Sequence, residues 1–323
     1  MVFAICVEAG GFEGMAVRAA RSIRKFGGRF ASCQIVAVTP RFGSPLHRQT
    51  LTEFRSLQVD YTSVRPAVPY AWYPYMNKPV TVVEAMKRSD AELVCYVDSD
   101  MILMGEPNLL ELNPDTDFAA CASDRNIGVT TNEDETAPFW GEICRVLGID
   151  FNELPWVHAH RDDVDIRMYF NAGMFAFRRS SGFADAYLQS VVDLLDAKVS
   201  SKVSNIYFHE QASLGLTAFK LKLRWLALPH IYNYAVGGKI MTRYEPQKVR
   251  DGIILHYHDM MWPNNWPALM KHLKTDRPEV YDWLEGLGPL QLNGSTIQKL
   301  TSKLLTARRK RKQNQHIAKC RVV

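Results

Sequence analysis

The chain has 323 residues, 47% of them hydrophobic and 23% charged, the proportions of an ordinary globular protein of one large or two smaller domains. No apolar run reaches the roughly 18 residues that a membrane-spanning helix needs, and the opening "MVFAICVEAGG" lacks the basic leader and long apolar stretch of a signal peptide. The formal charge of +5 is unevenly divided: beyond Leu290 nine Lys and Arg stand without one Asp or Glu, which leaves −4 for the rest.

The opening reads instead as a first strand, "VFAIC" at 2–6. "GMAVRAARSIRKFGG" follows with apolar residues at 15, 19, 23 and 26, helical spacing, and stops at Gly27-Gly28. A second strand, "CQIVAVT" at 33–39, precedes a helix in "SPLHRQTLTEFRSL", with Pro45 in its first turn. "QVDYTSV" reads as a third strand and "NKPVTVVEAMKRSD" as a third helix, against the grain of its β-branched Val80, Val82 and Val83. The fourth strand is "ELVCYV", 92–97. This alternation predicts an α/β fold with a mostly parallel central sheet and helices on both faces.

The second half is less regular. "FAACAS" (118–123), "YFNAGMFAFR" (169–178) and "GIILHYH" (252–258) are strand-like, while "SGFADAYLQSVVDLLDAK", "NIYFHEQASLGLTAF" and "PEVYDWLEGL" carry helical patterns. Residues 124–168, rich in charge and poor in pattern, are expected to include a mobile loop or lid. The domain division is 1–290 for the body and 291–323 for a basic tail. Cys6, Cys33, Cys95, Cys121, Cys144 and Cys320 form no CxxC pair, and most lie in or near apolar runs. They read as free thiols in a reducing, cytoplasmic compartment.

The fourth strand ends in "CYVDSDMIL". Ligands of parallel α/β sheets bind beyond the carboxyl ends of the strands. Asp98 and Asp100 stand at such an end, with Ser99 between them pointing the other way if strand geometry persists. Paired carboxylates suit Mg²⁺ or Mn²⁺, which also draw oxygens from a diphosphate. The alternative is a solvated turn with an aspartate cap.

"CYVDSDMIL" resembles the DXD signature of GT-A-fold glycosyltransferases, and the pieces after it are similar to glycosyltransferase family 8, the retaining group that includes glycogenin and bacterial lipopolysaccharide galactosyltransferases. "YFNAGMFAF", "HEQASL" and "IILHYH" match that family's pieces in order over about residues 1–265. The resemblance implies Mn²⁺ or Mg²⁺ bound by Asp98, Asp100 and His256, with His258 on the same strand face as an alternative ligand. It implies that Asn171, Ala172 and Gly173 line the donor sugar, that Glu210 binds sugar hydroxyls where the family usually has Asp, and that Gln211 sits near the anomeric carbon. Lys78, where the family has Arg, would neutralise a diphosphate, as a point charge without Arg's bidentate fork. Val7 and Glu8 match the place where the family grips the base, Glu8 accepting the uracil N3–H. Asp259 and Trp262 replace the family's Gly and Lys before Pro263, so a diphosphate contact is missing.

The resemblance therefore implies a glycosyltransferase that moves a sugar from a nucleotide-diphosphate donor, a UDP-sugar, to an acceptor hydroxyl with retention of configuration. A non-catalytic sugar-nucleotide binder on the same fold is the alternative. A phosphohydrolase with Asp98 as nucleophile and Asp100 as acid has Ile102 where Thr or Val is required, and a nucleotidyltransferase has only the faint glycine-rich "EAGGFEGMAVR". In the tail, Ile297, Leu300, Leu304 and Leu305 share one helical face opposite the basic residues, a pattern for peripheral contact with an anionic membrane or for a solvated tail. No aromatic residues interleave with these charges, so nucleic acid is not an expected partner.

Overall fold

The chain, seen here as a computed structural model, is described over residues 1–65, 68–237, 246–292 and 296–323. Its first half is the expected alternation: β1 (Val2–Cys6), α1 (Gly11–Phe26), β2 (Gln34–Thr39), α2 (Arg48–Ser56), β3 (Val59–Ser63), α3 (Asn77–Lys87) and β4 (Leu93–Val97). Then come β5 (Met101–Leu103), β6 (Phe118–Ala122), α4 (Ala137–Leu147), β7 (Trp156–Ala159), β8 (Val164–Arg167) and β9 (Phe170–Arg178). After α5 (Phe183–Asp196) follow β10 (Val199–Ser200), α6 (His209–Lys220), β11 (Trp225–Leu228), β12 (Tyr234–Ala235), α7 (Pro246–Arg250) and β13 (Ile254–His256). The chain closes with α8 (Trp266–Asp276), α9 (Pro278–Leu287), α10 (Thr296–Ile317) and β14 (Arg321–Val322).

Seven strands form the main sheet in the order β11-β6-β9-β4-β1-β2-β3. β9 runs antiparallel to both neighbours, β4 and β6, and every other pair is parallel. β1 shows why the strands read as unbroken apolar runs. Val2 and Ala4 pack on one face with residues of α3, α4, α5 and α6, while Phe3 and Ile5 pack on the other with residues of α1 and α2. A strand covered on both faces has no solvent side to mark with polar residues. A smaller sheet, β12-β13-β5, is built on the continuation of the fourth strand. In its antiparallel register His256 lies opposite Met101, next to Asp100. This pairing carries a residue from late in the chain to the end of β4.

Two local expectations change. α2 begins at Arg48, so Pro45 precedes the helix, and His47 caps it by accepting the Gln49 N–H at 3.2 Å. Within residues 124–168 the loop is confined mainly to the part before Ala137, and a helix and the β7–β8 hairpin occupy most of the rest. Phe139, Trp140, Ile143, Cys144 and Leu147 recur at helical spacing and are all buried, Pro138 sits in the first turn, and Gly148 ends the helix in the left-handed region at φ 73°. The indole N–H of Trp140 donates to the Ile127 carbonyl at 2.7 Å, which ties the preceding loop to the helix.

The tail does not stand away from the body. β14 pairs in parallel with β10, Arg321 opposite Val199, and the Lys202 N–H donates to the Val323 carbonyl at 3.1 Å. The buried His316 ring lies 5.4 Å from Tyr70 and 5.0 Å from Trp72, centroid to centroid. Leu300 and Leu304 face outward, 55% and 73% exposed, Leu305 is half-buried, and the side chain of Ile297 lies outside the described residues. No described helix is long and apolar enough to cross a membrane.

Candidate active site

β4 leaves the core at Val97 and delivers Asp98 into a dense polar frame. The Asp98 N–H donates to the Gly173 carbonyl at 2.7 Å. The Tyr96 hydroxyl donates to Asp98 Oδ1 at 2.7 Å, and Lys78 Nζ donates to Asp98 Oδ2 at 2.8 Å and to the Ala172 carbonyl at 3.0 Å. Asp98, Asp100 and His256 bring one ligand atom each to within 4.8 Å of one another. His256 Nε2 lies 3.4 Å from Asp100 Oδ2.

A chain of hydrogen bonds sets the imidazole. The Gly173 N–H donates to Asn171 Oδ1 at 2.8 Å, so that atom is an acceptor. It also accepts from Asn233 Nδ2 at 2.8 Å, which leaves Asn233 Oδ1 to take the proton of His256 Nδ1 at 3.0 Å. Nε2 is thereby directed at Asp100, the arrangement in which a neutral histidine ligates a metal. Burial disfavours the charged His256, but the carboxylates of Asp100 and, to a lesser extent, Asp98 together outweigh burial and raise its pKa. Burial likewise works against the Asp100 charge, and His256 prevails and lowers it. Two carboxylates and an imidazole with one nearby ammonium, Lys78, keep an excess of negative charge, a donor set that fits Mn²⁺ or Mg²⁺. His258 stacks on His256 at 4.0 Å but turns its Nδ1 to the Val236 carbonyl at 3.1 Å, and it lies outside this group of three. Ser99 is buried, and its carbonyl accepts the Tyr257 hydroxyl at 3.2 Å.

Gly173 stands where a side chain would not fit. An added Cβ would lie 2.9 Å from Asn171 Oδ1 and 3.0 Å from His256 Cε1. Beside Asn171 and His256 opens a cavity of about 320 Å³, also lined by Ser123, Asp124, Arg161 and Tyr207. Arg161, from the turn between β7 and β8, pairs with Asp124 at 2.6 Å. Arg161 and Tyr207 carry no sequence pattern that marks them, because separate loops bring them here. Gln211, in the first turn of α6, reaches the cavity wall by donating to Ser123 Oγ at 3.1 Å, and it also bonds the Tyr169 hydroxyl. Glu210, 2% exposed, lies behind it and accepts the Tyr187 hydroxyl. Burial pushes its carboxyl up to about 7, while Lys78 and the Tyr187 hydrogen bond pull the other way.

The end of β1 is built differently. Val7 is fully buried; its N–H donates to the Val38 carbonyl at 2.9 Å and its carbonyl accepts from Thr39 Oγ1 at 2.8 Å. The Glu8 carboxylate is held in a fork by Arg41, Nε at 2.7 Å and Nη2 at 2.6 Å, and accepts from Asn77 Nδ2 at 3.0 Å. Among the replaced family positions, Asp259 Oδ2 accepts from Asn265 at 3.0 Å and Trp262 packs on Gly11.

The chain resembles several solved structures. It aligns with WbbM, a bifunctional glycosyltransferase, at TM-score 0.50 and 12% identity over 87% of this chain and 51% of that one. GlyE, a glycosyltransferase of Streptococcus pneumoniae, gives TM-score 0.50 and 14% identity over 91% and 65%. An active-site mutant of LgtC gives TM-score 0.50 and 12% identity over 91% and 97%. The chain thus spans about half of WbbM and under two thirds of GlyE, and at these identities the likeness establishes the GT-A fold. No curated protein sequence matches the chain. Residues 3–222 match the family described as Rhodobacterales glycosyltransferase domain, more than half of the chain, so the protein belongs to that family.

Proposed function

We propose that the protein transfers a sugar from a nucleotide-diphosphate donor, a UDP-sugar, to an acceptor hydroxyl with retention of configuration, using Mn²⁺ or Mg²⁺ held by Asp98, Asp100 and His256. One observation carries this reading: the three ligand atoms gathered within 4.8 Å at the carboxyl end of β4. When bound, the cation supplies Lewis-acid neutralisation of diphosphate charge. The chain's own residues do the rest. Lys78 holds Asp98 in place and adds a positive charge on the diphosphate side. Asn171, Ala172 and Gly173 bring backbone and amide groups close to the donor sugar, which the missing Cβ of Gly173 permits. Glu210, as the carboxylate, accepts from a sugar hydroxyl, and Gln211 sits near the anomeric carbon. No carboxylate on the cavity wall is required as a nucleophile, so the acceptor attacks from the face the leaving phosphate departs, and that phosphate takes its proton. The cavity beside Asp124 and Arg161 receives the acceptor, a glycan, lipid or small molecule.

The outward face of α10, with Leu300 and Leu304 exposed among Lys303, Lys310 and Arg311, suits an anionic cytoplasmic membrane surface. A second reading, a sugar-nucleotide binder without turnover, draws on Asp259 and Trp262. One experiment separates them: release of UDP from a panel of UDP-sugars in Mn²⁺, for the wild type and Asp100→Asn. Active transfer gives turnover in the wild type that falls by about a hundredfold or more in the variant. Equal turnover in both removes the metal from the reaction, and binding without turnover in the wild type favours the second reading.

A further inference from the structure

A cavity of about 370 Å³ lies between α1, the first turns of α2 and the end of α9. It shares no lining residue with the cavity beside Asn171 and His256. Leu287 and Leu290 supply apolar lining, while Arg18, Arg21, Gln49 and Glu53 supply polar lining. Arg18 and Arg21 stand three residues apart on α1 and so share a face of the helix. Glu53 is committed to Arg21, its Oε2 2.6 Å from Nη2. The lining therefore keeps one positive charge in surplus, that of Arg18.

Arg18 is 6% exposed. Its Nη2 donates to the Gly288 carbonyl at 2.7 Å and its Nη1 to Met261 Sδ at 3.1 Å, and its Cζ lies 5.5 Å from the centre of the Trp266 ring. These partners are neutral, and among the described residues no carboxylate pairs with it. Arginines are seldom buried without a partner of opposite charge. Arg24, farther along α1, bonds no carboxylate either, but the carbonyls of Leu57, Ala31, Cys33 and Gln58 take its N–H groups. Arg18 has one carbonyl and one sulfur, a weak acceptor, for its five N–H groups. Burial lowers its pKa and the Arg21 charge adds to that, with only the Tyr257 hydroxyl opposing them. The group lacks an anion, and it borders a space that can hold one.

The remaining donors describe that anion. Arginine forks favour the oxygens of a carboxylate or a phosphoryl group. Gln49 bonds His47 through its backbone N–H, which leaves its side-chain amide to the cavity. Donors from two arginines and an amide outnumber the two oxygens of a carboxylate, whereas a phosphoryl group offers three. Leu287 and Leu290 suit the carbon part of a phosphate ester, which free phosphate lacks. The Glu53 carboxylate would repel an anion, and its pairing with Arg21 offsets that.

We propose that this cavity is a second ligand site, one that takes a phosphomonoester, with the phosphoryl oxygens on Arg18, Arg21 and Gln49 and the carbon part against Leu287 and Leu290. It stands apart from the metal cluster and does not depend on the nucleotide-sugar reading above.

Calorimetric titration of the full chain with phenyl phosphate, inorganic phosphate and benzoate tests it, in EDTA so that no cation at Asp98 and Asp100 recruits the anion. The proteins are the wild type, Arg21→Ala, Gln49→Ala, Arg18→Lys and, as a control for the basic tail, the double variant Lys310→Ala with Arg311→Ala, with thermal melts to check folding. The wild type is expected to bind phenyl phosphate most tightly, then phosphate, then benzoate. Arg21→Ala should weaken phenyl phosphate by about tenfold, since it removes a charge-assisted hydrogen bond and leaves Glu53 unpaired. Arg18→Lys, which keeps the charge but loses the fork, should weaken it by less than that, and Gln49→Ala by less again. The tail variant should bind as the wild type does. Binding unchanged in both arginine variants, or lost in the tail variant, places the anion elsewhere and overturns the site, as does a wild type that binds none of the three. Benzoate bound as tightly as phenyl phosphate overturns the phosphoryl assignment, and inorganic phosphate bound as tightly overturns the ester.

Discussion

Two strands of one sheet each release a carboxylate at their carboxyl ends, and the protein treats them differently. Asp98, beyond β4, is balanced by one ammonium, Lys78, and stands beside Asp100 and His256 with coordination space between them. Glu8, beyond β1, is gripped by the rigid fork of Arg41, with Arg309 close by. The first arrangement keeps an excess of negative charge and suits a cation. The second keeps an excess of guanidinium and suits a neutral ligand rich in carbonyl oxygens. On the proposed reading the same element, a strand ending in an acid, would serve two ends of one ligand, and the partners decide which.

The comparison breaks hardest at Asp98. Replacing it with Asn keeps the shape, removes a proposed metal ligand and leaves the Lys78 ammonium without its carboxylate. Turnover is expected to fall by about a thousandfold. The variant should also be less stable by roughly 3 kcal/mol, because Lys78 and Asp98 are only 14% and 20% exposed and a largely buried pair costs most when one partner is removed. Initial rates in Mn²⁺ and urea melts check the two halves separately; a full-rate enzyme would remove Asp98 from the reaction. Glu8→Gln probes the other end. It leaves both guanidinium groups in place but turns an acceptor partly into a donor opposite the base N–H. The Michaelis constant for the nucleotide sugar should rise about tenfold, with kcat changed far less, since the lost contact is made equally in ground and transition states. A loss confined to kcat would place Glu8 in the chemistry and not in base recognition.

These two ends also differ in how far the sequence reveals them. Asp98 and Asp100 announce themselves, since an apolar run that stops in two acids is hard to explain by packing alone. His256 is found only through the resemblance, which matches "IILHYH" to a late strand ending in a metal-binding histidine; no local pattern states the register of β13 against β5 that carries it to Asp100. Arg41 and Arg309 are invisible in the sequence as partners of Glu8: each is one basic residue among many, and the contact depends on α10 lying across the ends of β1 and β2. The tail's composition, basic and without acids, suggested an amphipathic segment by itself, and the pairing of β14 with β10 has only two residues to signal it. The helix α4 went unread: Phe139, Trp140, Ile143, Cys144 and Leu147 stand at helical spacing, but Gly141 within and dense charges around it obscured the period. Strands covered on both faces were the easiest to read, because the whole run must be apolar.

The smallest effect sharpens the comparison on the sugar side, where a third carboxylate is neither metal ligand nor base acceptor. Glu210 has almost no exposure, and burial pushes its carboxyl from the ordinary 4.5 up to about 7, with the Tyr187 hydroxyl partly offsetting that rise. Tyr187→Phe removes a donor that favours the carboxylate and should raise the Glu210 pKa by about one more unit. Two readouts follow. If the carboxylate form binds the sugar, the acid limb of the kcat/KM profile moves up by about one pH unit while the plateau changes little. Stability moves with a definite sign: the folded pKa lies above the unfolded one, so the folded state holds the extra proton, and stability is fully present below pH 4.5 and lost as pH rises through the folded value. In Tyr187→Phe that decline extends to higher pH than in the wild type. Thermal melts at intervals from pH 4 to 9 and a pH–rate profile on the same samples measure both, and an acid limb that does not move would show that the proton controlling activity is not on Glu210.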